Sequence, residues 1–336
     1  MKIKKLTICM VLVLTSSAFA DQEFTKLAQT GFQFLSVISD ARGAALAGAM
    51  TTTPYGSGSL FFNPAGMAEM QGAVDVMASK NTWIADINHT TMSIAFNPAN
   101  NKYGVFGLSV QSVSYGEIQG TMVWGHDPGW IETHTITPSA LAIGAGYAIR
   151  LSDRFSVGGQ AKYALQQLGK GAVEVHPEST LEDDSLGVQK FSTSAVAFDF
   201  GTLFKTGFKG IAFGMNVRNF SNEIAFLKEN FQLPLTFTMG LSMDLIDLIP
   251  NFSDAHSLMM SVDAVHPRSY PEYINLGMEY KLLDMLYLRY GFMHNRDERA
   301  SAFGFGVSRF GLGVDYAYIP FGILDEVQMI TVRFTY

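Results

Sequence analysis

The chain has 336 residues, of which 48% are hydrophobic and only 16% charged, and its 23 basic against 30 acidic side chains give a formal net charge of −7. Charged residues fall well below the roughly 25% of an average soluble protein. The acidic balance argues against nucleic acid as a partner, because phosphate binding needs clustered cations.

The start reads as a secretory signal peptide. "MKIKKLTICMVLVLTSSAFADQ" has a basic stretch (Lys2, Lys4, Lys5), an apolar run from Leu6 to Leu14, and Ala18-Phe19-Ala20 before Asp21. Cleavage is expected after Ala20. Cys9 follows bulky Ile8 inside the apolar run, which argues against a lipoprotein. The exported chain would then carry no cysteine, hence no disulfide and no thiolate metal site. Losing three lysines takes its formal charge from −7 to −10. No later run of 18 apolar residues predicts a membrane-spanning helix.

Residues 21–70 are expected to form a plug. "SDARGAALAGAM" has small residues at helical density, with Ser39 or Asp40 as N-cap. "TTTPYGSGS" reads as loop. In "SLFFNPAGMAEM", Asn63 caps a turn that starts on Pro64, and Gly66 allows close backbone approach. A compact, alanine-rich segment ahead of the first strand suits the inside of a barrel; a periplasmic arm is the alternative.

From residue 71 to the end the period is 2, the strand signature. In "PLTFTMGLSMD", Leu235, Phe237, Met239, Leu241 and Met243 oppose Thr236, Thr238, Gly240, Ser242 and Asp244. About fourteen strands are predicted, near 72–80, 87–97, 102–115, 137–151, 154–169, 191–204, 208–219, 232–245, 256–266, 271–282, 284–294, 299–308, 310–319 and 326–336. They are long, apolar on one face and small or polar on the other, with Lys162, Arg218, Asp244, Glu279, Arg289, Asp315 and Arg333 on the polar side. A tilted strand of roughly 9–11 residues crosses the hydrocarbon layer. The expected fold class is therefore all-β: a transmembrane antiparallel β-barrel with an N-terminal plug segment. With both termini in the periplasm, the longest connections, 116–136 and 170–190, fall outside, and the short turns 151–155, 205–209 and 308–311 fall inside. Connection 246–255 is long for a periplasmic turn.

The chain ends "VQMITVRFTY". Ile330, Val332, Phe334 and Tyr336 share one face, as patterned as a sheet interior. A closing strand that pairs with the first explains a terminus that does not fray, and its aromatic end suits an interfacial girdle.

Chemical constellations are missing. The seven histidines are scattered: His89, His126, His134, His176, His256, His266 and His294. None has a helical metal-site spacing. His126, Asp127 and His134 share the first long loop with Trp124 and Trp130, and read as a solvated, aromatic-anchored loop rather than a metal site. "LEDDS" at 181–185 reads as a solvated charge cluster, with cation binding as the alternative. No nucleophile elbow, phosphate loop or dinucleotide fingerprint appears. The sequence predicts no catalytic residue, metal or cofactor. The glycines are spread along strands, where they relieve crowding and permit curvature.

"ARGAALAGAM…LFFNPAGMA" resembles the N-terminal motif shared by the FadL fatty-acid transporters and the PorV/PorQ family. The resemblance to PorV/PorQ continues through "GVFGLSVQSVSYGEIQGT", "YAIRLSDRFSVGGQAKY", "AVAFDFGTLFKTGFKGIAFGMNVRNF", "FQLPLTFTMGLS", "DAVHP", "EYINLGMEY" and "GVDYAYIPFGILDEVQMITVRFTY", in order, over nearly the whole exported chain. It implies a fourteen-stranded FadL-like barrel in the outer membrane of a Gram-negative-type bacterium, associated with type IX secretion. It also implies a plug motif at Asp40, Arg42, Gly43, Asn63, Pro64, Ala65 and Gly66, and an assembly signal at Phe334 and Tyr336. Expected partners are outer-membrane lipid, the barrel-assembly machinery and secreted proteins or secretion-system components; a small hydrophobic ligand is the alternative. Phe61 and Phe62 could line a pocket for such a ligand or anchor the plug. The family often has an acidic pair before NPAG, and "TTTPYGSGS" lacks it.

Overall fold

The structure, a computed structural model, describes residues 30–99, 101–123, 125, 127–174, 186–226, 229–248, 255–295, 300–322 and 326–336. The signal peptide, Asp21, Trp124, His126, His176 and the 181–185 cluster lie outside the described residues.

Fourteen strands close into one antiparallel barrel. They are β1 (Val74–Thr82), β2 (Asn88–Phe96), β3 (Val105–Ser114), β6 (Ser139–Ser152), β7 (Phe155–Glu174), β8 (Leu186–Lys205), β9 (Ala212–Phe220), β12 (Thr236–Asp244), β13 (His256–Pro267), β14 (Tyr273–Leu282), β15 (Leu286–His294), β16 (Ser301–Arg309), β17 (Leu312–Pro320) and β18 (Glu326–Thr335). Each pairs with its neighbour in the chain, and β18 pairs with β1. Four shorter strands lie outside the ring: β4 (Ile118–Val123) with β5 (Trp130–Ile136), and β10 (Ile224–Phe226) with β11 (Glu229–Phe231).

The alternation predicted from sequence is the alternation observed. Met239, Leu241, Phe303, Phe305, Ile330 and Val332 are exposed on the outer surface. Thr238, Ser242, Asp263, Thr331 and Asp315 are buried on the inner one. In water an outward apolar band of this extent would be unstable; in hydrocarbon it is the stable arrangement, and closure leaves no unpaired edge within the ring.

The two ends differ. At the end that holds the start of β1 and the end of β18, β6–β7, β14–β15 and β16–β17 are joined by turns of two or three residues. The opposite end carries the β4–β5 hairpin, the extended β7–β8 hairpin and the β10–β11 hairpin. Bacterial barrels have short periplasmic turns and longer external loops, so the first end is periplasmic. Exposed aromatics sit on its rim, with the Arg309 guanidinium 4.7 Å from the Phe310 ring centre and the Lys102 ammonium 5.5 Å from that of Tyr103. Of the 246–255 connection, Ile246–Leu248 forms a 3-10 turn.

Two differences from the predicted strands have physical causes. β7 and β8 run to 20 residues each, past the lipid-facing band, because their pairing continues from Gly169↔Phe191 to Glu174↔Leu186 with a single bulge. The β8–β9 ladder is broken at Asp199, whose carboxylate takes the backbone N–H of Asn219 at 2.7 Å.

Candidate functional site

Residues 30–70 lie inside the ring and run from the loop end to the periplasmic end. Gly31 donates its N–H to the Gln232 carbonyl at 3.1 Å, near the loop-end mouth. Phe32 stacks on Phe231 with centroids 6.0 Å apart. Phe32, Phe34 and Leu35 bury themselves against Val113, Leu233 and the small wall residues Ala140, Ala142, Ala164, Ala195 and Ala197.

The small-residue stretch then makes one short helix, α1 (Ala41–Ala45). Asp40 caps it, accepting the Gly43 N–H at 2.9 Å and the Ser39 hydroxyl at 3.1 Å. Complete burial pushes the Asp40 carboxyl up to about 6. The Ala41 N–H meets the Thr331 hydroxyl of β18 at 2.8 Å. Helix ends quickly because Ala47 and Gly48 take positive φ (53° and 83°). A Cβ on Gly43 would fall 2.3 Å from the Phe62 ring, so glycine lets these two parts of the segment touch without displacing that ring.

Arg42 leaves α1 for the wall. Its Nε and Nη2 hold both oxygens of Glu279 at 2.9 and 2.8 Å, a bidentate pair. Arg289 bridges Glu279 at 2.5 Å and Asp315 at 2.6 Å. Beside this chain, Arg333 pairs with Asp75 at 2.8 Å, and Asp75 also accepts the Ser57 N–H and hydroxyl at 2.8 and 2.7 Å. The Arg42 and Arg333 guanidinium groups lie 5.0 and 4.9 Å from the ring centre of buried Tyr55. Two carboxylates, three guanidinium groups and one phenol therefore join segment to wall on the β14–β18 side, with Asp75 of β1 closing the set.

The NPAG turn is held on the other side. Asn63 accepts the Ala65 N–H at 3.2 Å and donates to the carbonyls of Thr51 (2.7 Å) and Thr202 (3.0 Å). Pro64 opens a 3-10 turn, Pro64–Glu69. Pro64 and Ala65 press on the wall where β7 has Gly158; a Cβ there would sit 2.6 Å from the Ala65 nitrogen. Gly66 gives the same clearance to Ser59, whose hydroxyl oxygen would lie 2.7 Å from a Cβ. Glu69 ends the segment, accepting from Ser156 at 2.7 Å and pairing with Arg150 at 3.2 Å and with Lys205. Burial would raise the Glu69 carboxyl; the hydrogen bonds from Lys205 and Ser156 and the two cations outweigh it and hold the group below its ordinary range.

Of the seven residues of the expected plug motif, Asp40, Arg42 and Gly43 lie at α1 and Asn63, Pro64, Ala65 and Gly66 at the NPAG turn, and Gly43 meets Phe62 between them. Of the inward charges, Glu279, Arg289, Asp315 and Arg333 form the network; Lys162 pairs with Asp199 of the neighbouring strand at 2.7 Å, Arg218 reaches the Phe61 carbonyl, and Asp244 accepts from Ser257 at 2.5 Å and the Leu258 N–H at 3.1 Å. Sequence reasoning missed Tyr55, Asp75 and Glu69. Parity had a signal for Asp75, which sits between outward Val74 and Val76. Phe334 and Tyr336 are exposed on the outer surface; Tyr336 exchanges both backbone hydrogen bonds with Val74, at 3.0 and 2.8 Å, so the terminus is held by the first strand.

Open space is unequally distributed. A cavity of about 680 Å3 at the periplasmic end is bordered by charged side chains such as Arg42, Glu279 and Arg333 and by apolar ones such as Ile211, Met243 and Met259. Beside Phe61 the space is only about 20 Å3, room for one water, which needs roughly 10–15 Å3. Among the described residues no three or more His, Cys, Asp or Glu gather as a metal-binding group. His134 instead bonds the Lys170 carbonyl at 2.7 Å, tying β5 to β7.

Residues 20–254 match the model of a family described as type IX secretion system protein PorV. No match was found among curated proteins. Several solved barrels share the fold. The toluene transporter TbuX of Ralstonia pickettii aligns over 88% of this chain and 98% of its own, with TM-score 0.53 and 13% identity. The toluene transporter TodX of Pseudomonas putida aligns over 92% and 98%, with TM-score 0.52 and 12% identity. The monoaromatic hydrocarbon channel CymD aligns over 89% and 97%, with TM-score 0.57 and 12% identity.

Proposed function

Because the chain belongs to the PorV family of type IX secretion system proteins, we propose that it is a non-enzymatic outer-membrane component of type IX-like protein secretion or surface attachment, acting by protein binding at its external loops. In this reading residues 1–20 are a cleaved leader, 21–70 a plug and 71–336 the barrel, in the outer membrane of a Gram-negative-type bacterium. Lipid surrounds the apolar outer band. Secreted proteins or secretion-system components meet the loop end. Asp40, Arg42, Gly43, Asn63, Pro64, Ala65 and Gly66 serve to seat the plug.

The observation that carries this reading is the family match over residues 20–254. Residues 30–70 occupy part of the lumen, and the space beside Phe61 is about 20 Å3, below the roughly 300 Å3 at which ligand pockets begin. The cavity of about 680 Å3 at the periplasmic end sets charged side chains such as Arg42, Glu279 and Arg333 beside apolar ones such as Ile211, Met259 and Val307. A deletion strain assayed for both export of surface proteins and uptake of hydrophobic compounds tests it. Loss of surface export with unchanged uptake is expected; the reverse pattern would establish the second reading, a FadL-like channel for small hydrophobic compounds. That reading draws on the shared fold with the hydrocarbon transporters and requires residues 30–70 to move.

Phe334 and Tyr336 are proposed as the signal read by the barrel-assembly machinery. Changing both to serine is expected to lower the folded, heat-modifiable barrel in outer-membrane fractions several-fold, while the purified variant still refolds in detergent. Unchanged membrane levels would remove that role.

A further inference from the structure

The outer wall changes character along β7 and β8. Tyr163, Leu168, Val196 and Phe198 are exposed apolar side chains of the lipid-facing band. Next to them, toward the loop end, the exposed side chains are Gln167, Lys170, Lys190 and Ser192. Lys170 stands directly opposite Lys190 in the ladder, and Gln167 opposite Ser192. Opposed residues of an antiparallel pair have Cβ atoms roughly 4.5–5.5 Å apart, and like charges so placed repel. Neither lysine forms an ion pair with a described residue.

A bulge creates this opposition. The register shifts between Gln167 and Gly169, which leaves Leu168 as an extra residue. Gln166 faces the lumen, where it accepts the Phe32 N–H at 3.3 Å, so Gln167 faces outward. In an unbroken strand residues three apart point to opposite faces. The extra residue instead turns Lys170 onto the same outward face as Gln167. Gly169 permits the turn: its φ is +106°, and a Cβ there would fall 2.3 Å from Ile136 Cγ2. His134 bonds the Lys170 carbonyl at 2.7 Å, which holds β5 alongside and brings Thr135 and Thr137 to the same place.

Thr135, Thr137, Gln167, Lys170, Lys190 and Ser192 border one cavity of about 280 Å3. Its lining has two ammonium groups, three hydroxyls and an amide, and no carboxylate. Two opposed cations ringed by neutral donors suit a phosphate group, which relieves their repulsion and takes hydrogen bonds on its remaining oxygens. Position selects the source. The cavity lies on the outward wall where the apolar band gives way to polar side chains, the depth at which head groups meet a barrel. We propose that Lys170 and Lys190 bind the phosphate of an outer-leaflet lipid head group, with Gln167, Ser192, Thr135 and Thr137 donating to its oxygens. The inference rests on the outer-membrane placement with the loop end outward, and not on the secretion reading.

The test uses the full exported chain in detergent, with binding followed by native mass spectrometry. The probe is diphosphoryl lipid A; its dephosphorylated form and inorganic phosphate are the comparisons. Saturable binding of the diphosphoryl form is expected, with the dephosphorylated form clearly weaker. Lys170→Gln and Lys190→Gln should each weaken it about five-fold, and Lys102→Gln, at the periplasmic rim, should leave it unchanged. Heat-modifiable mobility reports folding; if one lysine variant does not fold, the other variant and the comparison of the two lipids decide. Equal binding of the two lipids, or lysine variants that bind as tightly as wild type, would overturn the site. Displacement of lipid A by stoichiometric inorganic phosphate would make it a free-phosphate site and overturn the lipid assignment. Membrane fractionation reports the placement separately: a chain recovered away from the outer membrane would overturn that placement, whereas lost phosphate discrimination in detergent overturns the site alone.

Discussion

Glu279→Ala is expected to destabilise the barrel more than any other single charge removal. Glu279 is the shared acceptor of Arg42 and Arg289, whose side chains are 13% and 3% exposed. Its removal leaves two buried guanidinium groups short of a counter-charge; breaking a buried pair from one side costs about 3–5 kcal/mol. Arg42→Met should cost less, because Glu279 keeps Arg289 as its counter-charge. Urea unfolding in detergent micelles, followed by circular dichroism, compares the two. A Glu279→Ala loss no larger than that of Arg42→Met would show that the network is not what fastens segment to wall.

Gly291→Leu is the second large effect. A Cβ at Gly291 would lie 2.4 Å from the Ala47 nitrogen, 2.6 Å from the Leu46 carbonyl carbon and 2.7 Å from the Ala45 oxygen. These are backbone atoms at the end of α1, so no side chain can swing aside. Overpacking typically costs about 1–3 kcal/mol, and here the cost falls on the segment rather than on the ring, whose strand ladder does not need glycine. The expected result is an intact barrel in which residues 41–48 become cleavable by added protease, with wild type resistant. Resistance equal to wild type would show that the segment adjusts to the added side chain without leaving the wall.

The ring was legible because its signal is local. Each strand announces itself by alternation over about ten residues, and lipid rewards that alternation uniformly, so even the pairing of β18 with β1 follows from the pattern of the last ten residues. The hairpins β4–β5 and β10–β11 were not legible: they lie in water, beyond the uniform solvent that imposes the pattern, and are short. The glycines were read as relief for crowding and curvature. Their further task at Gly158 and Gly291 is to clear room for a segment more than 90 residues away in sequence, and nothing near either position encodes that distance. The same holds for Tyr55, an unremarked residue in a stretch read as loop, which becomes the platform for two guanidinium groups only once β18 and α1 are brought together.

The seam between β1 and β18 carries one more implication. Ala41 is bonded to Thr331, and Ser57 to Asp75, whose other oxygen holds Arg333. The inner chain is therefore fastened to both strands of the seam that joins the first strand to the last. Inserting residues 30–70 after closure would mean drawing them lengthwise through a crowded bore. Such a molecule is better wrapped than stuffed: the sheet is expected to curl around residues 30–70 as it closes.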